Sequence, residues 1–333
     1  MQNTTANDLP HPYEYRYGDA GSAATMAITQ QQQPMDFVSN VLPKMEENRL
    51  TVNLCSELWR ANNGLEVEDV LVSTLNNRRN KWLELQFGNT TEYYAFFHSY
   101  NALASARHQE EVILSPEEDN YTRTHSFVAE EFLYAIAKNP HHIGAVCLKR
   151  LKLEGDSILS MVRWAKISKL AMQDLSIWKQ EVSLAIPLSI ASNTYIQHLV
   201  WEPESSQETT NLLNCLVVNT TLKRLTLDGS NGKSQFWGVC RGYISEESVL
   251  ACQGLLVATN TLVQLELRCL TAQSLDPIVQ GLIESQSVTR VFIEKVELYS
   301  VGALSGLYNI HKFHQQAFTL TPTLLGRKPK QMW

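Results

Sequence analysis

The sequence predicts an α/β fold in which similar strand–helix units stack side by side. The octapeptide LKRLKLEG at residues 148–155 is nearly repeated as LKRLTLDG at 222–229, with six of the eight letters identical. Segments starting at Ile167, Ile196, Leu262 and Val288 share its spacing, with large apolar residues at the first, fourth and sixth places. One such unit cannot bury its apolar face alone, but a stack of units can.

Composition bounds the class of protein. The chain has 333 residues, of which 44% are hydrophobic, so it can build a substantial core. Its formal net charge of −6 argues against a general nucleic-acid binder, which needs a basic excess. No leader-like start and no long apolar run is present, and the six cysteines form no C-x-x-C pair. We therefore expect a cytoplasmic protein that has reduced thiols and no membrane segment, cofactor or zinc ribbon.

The first 125 residues fall into two parts. Residues 1–35 are polar and aperiodic, which predicts a disordered tail, and residues 36–125 predict a helical cap with degenerate repeats. In order, the patterns predict helical segments between Asp36 and Asn80, a strand at Trp82–Phe87, a helix at 93–106, a short strand at Val112–Leu114 and a helix at Phe127–Ala137.

Residues 126–298 form the predicted repeat array. The fourth and sixth places of each unit are two residues apart, so they share one face of a strand and point inward together. These inward pairs are Leu151/Leu153, Leu170/Met172, Leu199/Trp201, Leu225/Leu227, Leu265/Leu267 and Val291/Ile293. Successive units start 19, 29, 26, 40 and 26 residues apart. The step of 19 allows only a short helix near 157–165, and the step of 40 predicts an insertion at 229–245.

Small polar residues close the predicted helices. They occur in SNTYI, VNTTL and ATNTL, which end at Ile196, Leu222 and Leu262. Such residues can bond free helix carbonyls or open a turn. Residues 299–333 are a predicted C-terminal cap with a basic tail, in which a helix at 302–314 shields the last strand edge.

With these motifs the chain resembles the leucine-rich repeat family, in its ribonuclease-inhibitor-like subtype. The resemblance spans about residues 126–298, and 80–125 more weakly. It implies a horseshoe-shaped solenoid with a parallel sheet on the concave side and helices on the convex side. It also implies a non-enzymatic module that binds a protein partner through the concave face. The chain departs from the family in its irregular spacing and in lacking the Asn or Cys that usually follows the strand.

Two charged rows are predicted on the exposed face of the strands. The second residues after each unit's start give Arg150, Lys169, His198, Arg224, Gln264 and Arg290; the sixth give Glu154, Gln173, Glu202, Asp228, Arg268 and Glu294. Lys152 faces the same way. We expect the rows to steer and orient a partner of complementary charge. The alternative is that these charges only keep exposed strands soluble.

Two other features are candidates for contact. Phe236 and Trp237 lie in the glycine-rich insertion, where aromatic residues can anchor a partner or instead cover an edge of the stack. His141 and His142 lack partners at metal-ligand spacing and are interpreted as a surface loop.

The chain carries no motif of a known catalytic or phosphate-binding site, so we assign no catalytic or metal-binding residue. The alternatives to a binding module are a regulator that blocks a GTPase or nuclease, and an enzyme whose site is spread over the stack. The sequence leaves the partner and the oligomeric state open.

Overall fold

The structure, a computed structural model, describes residues 49–53, 82–87, 101, 111–116, 124–125, 127–138, 143–202, 205–229, 242–294, 297–298 and 318–321. The predicted N-terminal tail, the pair His141 and His142, Phe236 and Trp237, and the predicted helix at 302–314 lie outside these residues.

A ten-stranded sheet, parallel throughout, is the centre of the fold. Two three-stranded parallel sheets accompany it. In chain order the strands are β1 (Arg49–Asn53), β2 (Trp82–Phe87), β3 (Glu111–Pro116), β4 (Thr124–His125), β5 (Ala145–Lys149), β6 (Leu151–Leu153), β7 (Lys169–Gln173), β8 (Ser176–Ile177), β9 (His198–Trp201), β10 (Arg224–Asp228), β11 (Gly242–Ile244), β12 (Gln264–Arg268), β13 (Leu270–Ala272), β14 (Arg290–Glu294), β15 (Glu297–Leu298) and β16 (Phe318–Thr321).

Strands of the large sheet lie side by side in the order in which they occur in the chain, and the strands between them in sequence belong to the small sheets. Their order is β1-β2-β3-β5-β7-β9-β10-β12-β14-β16, and the small sheets are β4-β6-β8 and β11-β13-β15. In three units a residue with left-handed backbone directly follows the long strand: Arg150 at φ 51°, Asp174 at φ 50° and Cys269 at φ 48°. This turn redirects the chain from a strand of the large sheet into one of a small sheet.

Six helices are present in the described part of the chain: α1 (Phe127–Lys138), α2 (Asp156–Trp164), α3 (Gln180–Ser192), α4 (Ser206–Leu216), α5 (Glu246–Ala258) and α6 (Asp276–Glu284). Each helix packs beside the next one along the chain. Their apolar sides form one core with the second and fourth residues of the long strands, and all six predicted inward pairs belong to that core. The α/β class and the parallel strand–helix arrangement predicted from the sequence are therefore confirmed.

Buried polar side chains after the helices bond the backbone of the following strand's start, and two of them also bond the preceding unit. Asn193 lies three residues before Ile196, and its Nδ2 donates to the carbonyl of Val162 at 2.6 Å while its Oδ1 accepts from the amide of Ile196 at 2.8 Å. Asn219 repeats this in the next unit, donating to Ala191 at 2.9 Å. Thr259 continues the series as an acceptor for the amide of Leu262 at 3.3 Å. The prediction that small polar residues close the helices is confirmed.

The register of the first unit differs from the prediction. Its strand in the large sheet is β5, in which Val146 pairs with Leu170 and Leu148 with Met172. The octapeptide at 148–155 therefore spans the end of β5, the turn at Arg150 and the small-sheet strand β6, whereas the copy at 222–229 contains the large-sheet strand β10.

The cause is a spacing that occurs twice within the first unit. The strand region of this unit contributes to the main core Ile143, Val146, Leu148, Leu151 and Leu153, with steps of three and two and then three and two again. A shift of five residues therefore superposes the second half of one unit on the first half of another. With Ile143 as its start, the first unit lies 24 residues before Ile167, so the predicted step of 19 was wrong.

The remaining irregularity lies where it was predicted. Strand β10 ends at Asp228 and β11 begins at Gly242, so the extra residues of the long step fall within 229–245. No helix in the described ranges is long and apolar enough to cross a bilayer.

Candidate functional site

The six described helices pack on one face of the large sheet, and we call the opposite face the open face. Side chains of the first, third and fifth residues of the long strands point to it, because successive side chains of a strand alternate between faces. The third residues of β3, β5, β7 and β9 are Ile113, Cys147, Ala171 and Val200, and they form an apolar cluster separate from the main core. We call these four residues the floor.

A cavity of about 470 Å³ lies over the floor. Its lining residues are Glu111, Ile113, Cys147, Lys149, Lys169, Ala171, Gln173, His198, Val200, Arg224, Thr226, Glu266 and Arg268. The lining thus combines an apolar base with charged and amide side chains around it, as binding sites commonly do.

Glu266 closes one end of the floor. Its carboxylate accepts a hydrogen bond from Gln264, another from the Thr226 hydroxyl at 3.2 Å, and an ion-paired bond from Arg268 at 2.7 Å. The Glu266 side chain is nearly buried, whereas that of Arg268 is 45% exposed. The Glu266 carboxylate is therefore already bonded to neighbouring side chains of the open face.

A second ion pair lies along the edge of the floor formed by the first residues of its strands. Lys169 forms an ion pair with Glu111 at 2.7 Å across β5, where the first residue is only Ala145. Glu84 accepts from the Ser115 hydroxyl at 2.7 Å at the far end of the row. The thiol of Cys147 lies 3.6 Å from Oε1 of Gln173, and burial raises the pKa of that thiol to about 11. The Cys147 sulfur is consequently protonated at neutral pH and contributes an apolar surface.

His198 is neutral in this setting. Burial, together with the positive charges of Arg224 and Lys169 on the two neighbouring strands, lowers the pKa of His198 to about 4. Its Nε2 is buried and has no hydrogen-bond partner among the described residues. On these three strands the predicted basic row therefore has two cations with an uncharged imidazole between them. The imidazole adds no third positive charge to their mutual repulsion.

Two cations of the cavity lining have no ion-pair partner within the described part of the chain. They are Lys149 at the end of β5 and Arg224 at the start of β10. The other two lining cations, Lys169 and Arg268, are paired with the two lining carboxylates. Among the described residues, the cavity lining therefore carries a net positive charge that its two carboxylates do not neutralise.

Five predicted residues of the second-position row stand side by side on the open face. At equivalent first positions of β7, β9, β10, β12 and β14 lie Lys169, His198, Arg224, Gln264 and Arg290. Asp228 and Glu294 occupy the corresponding fifth positions, although the Asp228 side chain is largely buried. Glu202 follows β9 and is also buried, and its backbone amide donates to Met172 at 2.9 Å.

Three predicted residues are absent from these rows because of the shifted register. The places predicted for Arg150, Lys152 and Glu154 are taken by Ala145, Cys147 and Lys149. Arg150 instead forms the left-handed turn after β5. Lys152 lies over the ring of Trp178 at 4.7 Å, and Glu154 pairs with Lys179 at 2.9 Å, both beside the small sheet.

Sequence reasoning missed the floor. Ala171 and Val200 stand at the fourth offset of their units, where their apolar character on the exposed face was visible in the sequence. Cys147 and Lys149 were hidden by the register error, and Ile113 belongs to a strand for which no repeat was aligned.

Within the described ranges no group of three or more His, Cys, Asp or Glu side chains is placed to hold a metal ion.

Comparison with known proteins gives likenesses among solved structures. No protein-family model and no curated protein matches the sequence. A solved structure of Leiomodin-1 Actin-Binding Site 2 (ABS2) is similar over 40% of this chain and 73% of that chain, with a TM-score of 0.30 and 16% identity. At that level the likeness says nothing about function, which has to be argued from the site itself.

Proposed function

We propose that this chain is a non-enzymatic, leucine-rich-repeat-like module of the ribonuclease-inhibitor-like type that binds a protein partner through the open face, which is the concave side of its sheet. The observation that supports it is the floor: on four adjacent strands Ile113, Cys147, Ala171 and Val200 point away from the main core and form a second, buried apolar cluster at the base of the cavity. Surface strands facing only water would carry polar residues there.

The surroundings of the floor have the composition of a protein interface. Charged and amide side chains border an apolar centre, and Arg268 offers a partly exposed guanidinium at the border. An apolar centre with a polar rim is the usual anatomy of such surfaces. The parallel strands also hold these side chains in fixed register, which favours specific binding of one complementary partner over nonspecific association.

Three of the described cysteines support a cytoplasmic location. Cys147, Cys215 and Cys252 carry free thiols. Thiols persist in reducing compartments, whereas extracellular proteins usually pair them.

The proposal is tested by blocking the floor. Ala171→Arg places a long charged side chain at its centre, on the face opposite the six described helices. Leu184→Arg is the matched control, because Leu184 is 55% exposed on α3 on the helical side. Tagged wild type and both variants are used to capture proteins from native extract, with quantification by mass spectrometry.

We expect a partner that the wild type and Leu184→Arg recover equally and that Ala171→Arg fails to recover, with circular dichroism showing all three folded. Equal recovery of every protein by the wild type and Ala171→Arg would contradict binding through the open face.

A further inference from the structure

We propose that the floor receives an extended, acidic segment of the partner, with aliphatic side chains on the floor and carboxylates at Lys149 and Arg224. The inference rests on the proposed function, since it describes the chemistry of what the open face binds. It follows from three properties of the cavity: its charge, the separation of its two unpaired cations, and its size.

Charge selects an acidic segment. The cavity is lined by four cations and two carboxylates. Both carboxylates already have cationic partners at 2.7 Å, Glu111 with Lys169 and Glu266 with Arg268. Lys149 and Arg224 have no ion pair within the described residues, and His198 between the strands of these cations is neutral. A basic ligand would meet like charges, which complementary interfaces avoid.

Spacing selects an extended chain. Lys149 is the fifth residue of β5 and Arg224 the first of β10, three strands away, so the two lie diagonally across the floor. With about 4.8 Å between strands and about 3.3 Å per residue along them, their Cα atoms are about 20 Å apart. An extended peptide covers that distance in about six residues. Two carboxylates six residues apart would therefore point to the same side of the peptide as aliphatic residues that lie two and four residues after the first carboxylate.

Size favours an extended segment over a helix as the occupant. A helix is about 10–12 Å across with its side chains, so one long enough to join the two cations fills well over 1,000 Å³. The cavity holds about 470 Å³, which suits the side chains of a few residues. Small residues such as Ala171 and Cys147 leave room on the floor for branched aliphatic groups, whose apolar surface would be buried there.

The test uses synthetic seven-residue peptides and methyl NMR of the full chain. The probe ESVSVSE carries two carboxylates six positions apart and two valines between them. Control peptides are KSVSVSK, which reverses the charges, and ESSSSSE, which removes the aliphatic groups. The methyl signals of Ile113, Ala171 and Val200 report on the floor, and those of Leu250, exposed on α5, report nonspecific effects.

We expect ESVSVSE, at concentrations up to about 2 mM, to shift the three floor signals without shifting Leu250, and the two control peptides to bind at least about fivefold more weakly. Equal or stronger binding of KSVSVSK would overturn the acidic preference. Absence of floor shifts with ESVSVSE would overturn the inference as well.

A charge exchange separates recognition from misfolding. In the double variant Lys149→Glu and Arg224→Glu, ESVSVSE should lose binding and KSVSVSK should gain it, which an unfolded protein cannot show. Lys166→Glu, at an exposed position outside the cavity, serves as the charge control and should leave both affinities unchanged. Loss of all peptide binding by Lys166→Glu, or no exchange of preference in the double variant, would contradict the assignment.

The outcomes also distinguish this inference from the proposed function. If ESVSVSE fails while Ala171→Arg still abolishes capture of the partner, the acidic, extended segment is wrong and the protein-binding face stands. If Ala171→Arg leaves capture unchanged, the proposed function itself fails.

Discussion

Asn219→Ala should destabilise the fold strongly although it changes a residue outside every helix and strand. The side chain of Asn219 is buried between the units of α3 and α4. Its Nδ2 donates to the carbonyl of Ala191 at 2.9 Å, and its Oδ1 accepts from the amides of Leu222 at 2.7 Å and Thr221 at 2.9 Å. The alanine variant leaves these three backbone groups without their partner. At about 1 kcal/mol for each, the free energy of unfolding should fall by about 3 kcal/mol.

The assay is urea unfolding followed by circular dichroism. Asn214→Ala is the matched control, because Asn214 is exposed on α4, and it should change the free energy of unfolding by no more than about 0.5 kcal/mol. Asn219→Thr should fall between the two, since Thr259 serves as the acceptor at the equivalent place of the next unit. The slopes of the three transitions must agree for the free energies to be compared.

A loss in Asn219→Ala no larger than that in Asn214→Ala would refute the reasoning. It would mean that the units are held together by apolar packing alone and that the side-chain bonds between them are incidental.

Three further predictions concern stability, titration and reactivity. Gly155→Ala should lower the free energy of unfolding in urea by about 2–4 kcal/mol, because φ is 103° and a Cβ would lie 2.6 Å from Ile177. Gly254→Ala, which has open space in α5, should be neutral or stabilising. Equal effects of the two substitutions would contradict this prediction. The His198 imidazole should titrate near pH 4 by NMR, so that it opposes folding as the pH falls from about 6.5, its unfolded pKa, towards 4; a midpoint near 6.5 would refute its placement. The Cys252 thiol, whose pKa burial raises to about 12, should react with a thiol reagent only after unfolding; rapid reaction in the native state would contradict its burial.

Periodicity predicted the core well because it reports directly on burial. The inward pairs such as Leu225 and Leu227 are fixed by alternation along a strand, and every one of them is buried. The strand at Trp82–Phe87 and the helix beginning at Phe127 were also found at their predicted positions. These features depend on local spacing, which a single sequence contains.

Register was less predictable, for a physical reason. Steps of three and two residues occur twice in the first unit, so burial is satisfied equally well by two alignments five residues apart until strand pairing is known. That ambiguity removed Cys147 and Lys149 from the predicted site and put Arg150 into it. The lowered pKa of His198 likewise depends first on burial and then on cations from two neighbouring strands, and both arise only in the folded sheet.

Site-specific photo-cross-linking compares the two faces of the molecule directly. A photoreactive phenylalanine analogue is introduced in place of Arg268, whose side chain is 45% exposed at the border of the cavity, or in place of Leu184 on the helical side. After irradiation in native extract, the Arg268 position should yield a discrete protein adduct that Ala171→Arg abolishes, and the Leu184 position should not yield that adduct. An adduct formed from Leu184 and not from Arg268 would show that the partner binds the helices and that the open face is not its site.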